Sequence, residues 1–183
     1  MTSVNPVDTL TAEILARVRD VPDFPTPGVL FKDITPLLAD GGAFARVVEA
    51  IAEPHRQDVR PVDVVVGIEA RGFILAAPVA VALGVGFVPV RKVGKLPSVT
   101  VSASYELEYG TAEVEVHADG VRPGQHVLLV DDVLATGGTA AAATALVQRL
   151  GGVMIGVSVL MELAVLGGRN RLPGLDVRSL VAV

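Results

Sequence analysis

Apolar positions recur along the chain with two different periods, and the change from one to the other organises it. Val7, Leu10, Ile14 and Val18 follow at helical spacing behind Asn5-Pro6, which reads as an N-cap with proline at the first helical position; this predicts a helix over residues 6–19. Pro22, Pro25, Pro27 and Gly28 then keep the chain extended or turning. Phe44, Val47, Val48 and Ile51 mark a second helix that stops near Pro54. Beyond it, short apolar runs alternate with helical stretches. Residues 62–68 read as a buried strand, 72–83 as a helix despite Pro78, 87–90 as a short strand and 127–130 as another buried strand. An Ala-rich helix over 140–150 ends at Gly151-Gly152, and 153–161 is a further buried strand. Residues 112–116 alternate apolar side chains with Glu113 and Glu115, the pattern of a half-exposed strand. Residues 91–110 mix Gly, Pro, Ser, Thr and charges without a period and read as a long loop, functional or disordered. Strand, helix, strand in repetition predicts an α/β fold with a mostly parallel central sheet flanked by helices on both faces. No repeat, low-complexity tract or linker breaks the pattern, so residues 1–183 are expected to form a single domain.

Composition changes this picture at few points. Hydrophobic residues make up 51% of the chain and aromatics only 4%, so the core must be aliphatic, as suits strands covered on both faces. Residues 72–90 form an uncharged run between Arg71 and Arg91 that is long enough to suggest a membrane span. Pro78, Gly84, Gly86 and Pro89 cut it into pieces too short to cross, and a buried helix, a turn and a strand explain it better. The opening residues contain Asp8 and lack a basic-then-apolar leader, so the expected compartment is the cytosol, with no membrane partner. A net charge of −5 argues against a nucleic-acid partner, and any polyanionic ligand must meet a local cluster of cations. There is no cysteine, and His55, His117 and His126 are too scattered for an HExxH-type metal site.

The most informative segment runs from Val127 to Thr139. An apolar strand leads straight into Asp131 and Asp132, followed by Val133-Leu134-Ala135-Thr136-Gly137-Gly138-Thr139 and then a helix. Ligands of open α/β sheets sit at the carboxyl ends of strands. Gly137 and Gly138 let the backbone turn tightly and approach an anion, the N–H groups of the loop and helix start favour phosphate, and Thr136 and Thr139 add hydroxyl donors. The two aspartates suit a neighbouring sugar, accepting from its 2′- and 3′-hydroxyls, or they face magnesium. A phosphate cradle beside a diol reader describes ribose 5-phosphate. Neither a GxxxxGK[ST] loop nor a GxGxxG turn is present.

This segment resembles the phosphoribosyl pyrophosphate signature of the type I phosphoribosyltransferases. Residues 23–36 (DFPTPGVLFKDITP), 67–73 (GIEARGF), 91–97 (RKVGKLP), 104–110 (SYELEYG) and 161–163 (MEL) resemble, in order and spacing, the adenine branch of that family. The resemblance spans about residues 20–170 and is carried by the stretches together. It implies the type I fold with a small hood, formed by about residues 20–36 and the C-terminal part, and a mobile loop. It implies purine salvage chemistry, in which adenine and phosphoribosyl pyrophosphate give AMP and pyrophosphate. Asp131, Asp132, Ala135, Thr136, Gly137, Gly138, Thr139, Arg71, Arg91, Lys92, Lys95 and Tyr105 are then expected at phosphoribosyl pyrophosphate, with Arg91, Lys92 and Lys95 a basic clamp on pyrophosphate. Leu30, Lys32, Arg71 and Leu163 are expected at adenine, the first two through their backbone, with Lys32 standing where Arg also occurs in the family. Glu108 is the implied catalytic proton acceptor, and Tyr105 packs over the substrate as the loop closes. Magnesium is the implied cofactor, held mainly by the substrate with no direct protein ligand, and a homodimer is the implied assembly. The apolar 179–183 tail is expected at the hood or an interface.

The transfer needs no covalent intermediate, and the chain offers no Ser-His or Cys-His set; positioning and charge stabilisation are the expected means. Two other readings compete. A phosphoribosyltransferase for hypoxanthine/guanine, xanthine, orotate or uracil shares the phosphate loop, but residues 23–36 and 104–110 favour adenine. A regulator that only senses phosphoribosyl pyrophosphate is disfavoured by the acidic charge and by the presence of Glu108 and the full basic loop.

Overall fold

The computed structural model describes residues 6–56, 58–106 and 111–183, with backbone only at 6–8 and 106. The chain forms two compact units, 1–50 and 51–183. The first holds α1 (Pro6–Leu15), a hairpin of β1 (Arg19–Val21) and β2 (Phe31–Asp33), α2 (Thr35–Ala39) and most of α3 (Gly41–Arg56). Ile14, Ile34, Leu37, Ala43 and Val47 are its fully buried apolar side chains. Asp33 accepts from the Thr35 N–H and from Arg19, which together pull its pKa down to about 2. In the connection between β1 and β2, Asp23 sits at φ 56° and its Oδ1 accepts from Gly28 N at 2.8 Å. Helix α3 runs two residues past Pro54, which removes one late donor without ending the helix.

The second unit is built on a seven-stranded sheet in the order β5-β6-β4-β3-β7-β8-β9. Its strands are β3 (Val64–Ile68), β4 (Gly86–Lys92), β5 (Thr100–Glu106), β6 (Thr111–His117), β7 (His126–Leu134), β8 (Val153–Glu162) and β9 (Val177–Ala182). The five strands β4, β3, β7, β8 and β9 are parallel to their neighbours, and the β5–β6 hairpin adds to β4 antiparallel. Every residue of β3 is buried, which is why it reads as an unbroken apolar run. Helix α4 (Arg71–Leu83) leads from β3 to β4, and α5 (Gly138–Arg149) leads from β7 to β8. The chain therefore leaves β3 toward one edge of the sheet and leaves β7 toward the other. Right-handed crossovers then put α4 and α5 on opposite faces and open a crevice at the carboxyl ends of β3 and β7.

Four expectations change. Residues 100–106, expected within a loop, form β5, paired with β6 from Thr100↔His117 to Glu106↔Thr111. Its alternation, Val101, Ala103 and Tyr105 inward against Thr100, Ser102 and Ser104, is a short run lost within a longer stretch of Gly, Pro and charged residues. Glu115, expected half-exposed, is 4% exposed, because the 95–100 segment folds over it. The helix expected over 6–19 ends at Leu15, and β1 begins at Arg19; residues 179–182 lie in β9, an edge strand parallel to β8. Among the described residues no helix is long and apolar enough to cross a membrane.

Gly67 marks where α4 comes closest to the sheet: a Cβ there would lie 2.5 Å from Ala76 Cβ and 2.8 Å from a Phe87 ring carbon. Gly67→Ala is expected to destabilise the protein by about 1–3 kcal/mol through overpacking, read as a lower urea midpoint at unchanged m; an unchanged midpoint would mean that α4 can move away at no cost.

Candidate functional site

Strand β7 continues through Asp131 and Asp132 to Leu134, so both carboxylates project from the carboxyl end of the sheet's centre. Asp132 is 6% exposed and Asp131 partly so. The Asp131 carboxyl is held well above the usual carboxylate range, first by burial and then by the charge of Asp132. Its Oδ1 accepts the Asp132 N–H at 2.9 Å and lies against Gly72, where any Cβ would overlap it. Arg71, the first residue of α4, brings its Nε to 2.7 Å from Asp132 Oδ2. Asp132 Oδ2 is thus ion-paired with Arg71 and has no hydrogen-bond partner among the described residues. A buried acceptor of this kind awaits a donor such as a sugar hydroxyl.

The loop that follows performs the turn for which its glycines were read. Gly137 caps α5 in the left-handed region at φ +81°, where a side chain would be strained. No side chain caps the start of α5, which leaves its first-turn donors to a ligand or water. Asp131, Leu134, Ala135, Thr136, Gly137, Gly138 and Thr139 line one small hollow. This is a place for an anion at a helix start, beside a carboxylate pair.

The basic residues divide. Arg91, in β4, grips Glu69 with Nη2 at 2.9 Å from Oε1 and Nε at 3.3 Å from Oε2, and its Nη1 donates to the Lys95 carbonyl at 3.0 Å. Lys92 donates its backbone N–H to Glu69 at 3.1 Å while its side chain is exposed, as is that of Lys95. Glu115 accepts from Lys95 N and Leu96 N, both at 2.9 Å, and from Thr100 Oγ1 at 2.9 Å. The cationic turn is thus tied down by two acids, Glu69 and Glu115, each held below the ordinary glutamate range by these donors. The Glu69–Ala70 peptide, between this pair and Arg71, is cis.

Tyr105, partly buried in β5, lines an open surface cleft with Ser104, Thr111, Gly138 and Arg171. Leu163 follows β8, partly exposed, and its N–H donates to Leu134 O at 2.9 Å just before the 135–139 loop. Leu30 and Lys32 belong to the first unit, where Leu30 is 50% exposed and Lys32 Nζ lies 2.7 Å from Asp20 Oδ1. Glu108 lies outside the described residues. The sequence reading missed Glu69, Gly72, Glu115 and Gly168. Glu69 and Gly72 stand within 67–73, so that stretch held a signal; Glu115 and Gly168 carried none, since their roles come from segments folded over them.

The family profile described as the phosphoribosyl transferase domain matches residues 37–173. A curated relative from Acidothermus cellulolyticus, named adenine phosphoribosyltransferase, is 59% identical over 170 residues, 93% of this chain and 95% of its own. A crystal structure of adenine phosphoribosyltransferase from Thermoanaerobacter pseudethanolicus superposes with a TM-score of 0.91 at 50% identity, covering 94% of this chain and 99% of that one. The Saccharomyces cerevisiae enzyme, solved with an imino-altritol bisphosphate and adenine, matches with a TM-score of 0.88 at 38% identity, covering 94% and 99%.

The raised pKa of Asp131 means that the folded protein binds this proton more tightly than the unfolded chain does. Stability from this group is therefore present at low pH and is lost as pH rises from the ordinary aspartate value, near 3.9, through the raised one. Asp131→Asn is expected to raise the urea midpoint at pH 8 above the parent's, with the gain vanishing near pH 4. Urea unfolding at the two pH values checks it, and a destabilised variant at pH 8 would contradict it.

Proposed function

This chain belongs to the adenine phosphoribosyltransferase family, and we infer that it transfers the phosphoribosyl group of phosphoribosyl pyrophosphate to adenine, giving AMP and pyrophosphate in purine salvage. The observation that carries the reading is the end of β7, where a carboxylate pair offset by Arg71 runs into a helix start that no side chain caps. Residues Ala135, Thr136, Gly137, Gly138 and Thr139 take the 5-phosphate there, and Asp131 and Asp132 take the ribose hydroxyls. Arg71, already on Asp132, sits by the ribose and base. Arg91, Lys92 and Lys95 meet the pyrophosphate.

In the reaction, adenine N9 displaces pyrophosphate from C1′ with inversion through an oxocarbenium-like transition state. Glu108 accepts the adenine proton, Tyr105 packs over the bound substrate, and Leu163 together with the backbone at Leu30 and Lys32 frames the base. The 91–110 region closes over the site to exclude water, which would otherwise hydrolyse the activated ribose. Magnesium, when bound, neutralises charge on the leaving pyrophosphate. Among the described residues no three His, Asp or Glu side chains converge to cage a metal. A lone carboxylate pair beside the ribose fits an ion carried mainly by substrate oxygens and water. On this reading residues 1–183 work as one catalytic domain, with a hood from about 20–36 and the C-terminal part, as a cytosolic homodimer.

Purified protein given phosphoribosyl pyrophosphate, magnesium and one base at a time is expected to make nucleotide from adenine and from none of hypoxanthine, guanine or orotate. Product from another base instead would keep the phosphate site and overturn the adenine contacts. Glu108→Gln is expected to lower kcat about 100-fold with KM for phosphoribosyl pyrophosphate nearly unchanged. A rise in KM for adenine at full kcat would assign Glu108 to orienting the base alone.

A further inference from the structure

After β8 the chain folds through two short 3-10 turns, Ala164–Leu166 and Gly168–Arg171, before it reaches β9. Gly168 is buried there in direct backbone contact with the phosphate loop. A Cβ on Gly168 would overlap the Ala135 carbonyl and stand 3.0 Å from Leu134 Cγ and 3.2 Å from Gly137 N. The converse also holds, since a Cβ on Gly137 would overlap the Gly168 carbonyl. No side chain separates the two backbones, so a shift of one displaces the other.

The next residue fixes where Gly168 lies. Arg169 Nε is 2.7 and 2.8 Å from the two carboxylate oxygens of Glu162, and its Nη2 is 2.6 Å from Oε2. Nη2 also lies 3.2 Å from Ser179 Oγ, and Nη1 donates to the Val177 carbonyl. One guanidinium therefore ties the turn to the last residue of β8 and to two positions on β9, and Glu162 is itself 6% exposed. A planar fork of fixed geometry transmits position better than a single point contact does.

We propose that Arg169 is a positioning residue for the phosphate loop, acting through Gly168: the fork across β8 and β9 sets the height of the turn, and the turn sets the backbone of Ala135–Gly137. The proposal rests on the reading that this loop holds the 5-phosphate. Leu163 begins the same turn and donates its N–H to Leu134 O, so the base side and the phosphate side share this support.

The test measures ribose 5-phosphate binding by calorimetry on the full chain, well below each variant's Tm, together with steady-state kinetics. The variants are Gly168→Ala, the pair Glu162→Gln with Arg169→Gln, Arg169→Lys, and Thr139→Val as a direct loop reference. The glutamine pair leaves no lone buried charge and so protects the fold. Gly168→Ala and the glutamine pair are expected to weaken ribose 5-phosphate about tenfold or more and to raise KM for phosphoribosyl pyrophosphate more than they lower kcat. Arg169→Lys is expected to recover part of the loss. If these variants melt earlier but bind ribose 5-phosphate as the parent does while Thr139→Val weakens it, the turn only stabilises the fold and the proposal is overturned. If the parent chain itself binds no ribose 5-phosphate, the phosphate-loop reading fails and takes the proposal with it.

Discussion

Two carboxylates at the end of a strand in the middle of a sheet stand against the low polarity around them, and the neighbouring structure is arranged to tolerate that. The mutual repulsion of Asp131 and Asp132 is not dispersed by water, so the Asp131 carboxyl is pushed toward its neutral form. Arg71 offsets part of the charge from the start of α4. Gly72 gives up its side chain so that the Asp131 carboxyl has somewhere to lie. These adjustments come from the first turn of one helix, brought beside β7 only because β3 and β7 are parallel neighbours whose chains leave in opposite directions. The site is thus a local compromise imposed by topology, and the unfilled acceptor on Asp132 is what the compromise leaves open to a ligand.

The reading of the sequence succeeded where a single segment contains its own reason. Val127 to Thr139 announces a strand, an acid pair, a turn and a helix because each part follows from the residues in it, and the structure places them so. The same holds for β3 and α4. It fell short where the reason lies in another segment. Glu115 looks like any outward acid on a strand until two backbone N–H groups and a hydroxyl from residues 95–100 fold onto it. Strand β5 is stabilised by pairing with β6 along its length, while its own Thr, Ser and Ala give only a faint alternation. Gly168 is one glycine in a Gly-Gly pair, and nothing near it in the chain says that a loop thirty positions earlier will press on it.

Close approach of backbones is the second theme of the site. Gly67, Gly72, Gly137 and Gly168 each lack a side chain at a point where one would strike a neighbour. Between them they let α4 settle on the sheet, the acid pair fit beneath it, and the phosphate loop rest on the turn behind. Such contacts leave little room for graded adjustment, so the geometry of the loop is set largely by packing.

On the reading that Arg91 meets the leaving pyrophosphate, its pairing with Glu69 bears on how the site would let go. A guanidinium that already owns a counter-ion gains less from an arriving anion than a bare one would, because the new attraction is bought by surrendering the old. When the anion departs, Glu69 is at hand to take its place, and the cation never stands uncompensated. Grip on the leaving group is traded for ease of release. On that reading, the Glu69 counter-ion would favour release of a multiply charged product.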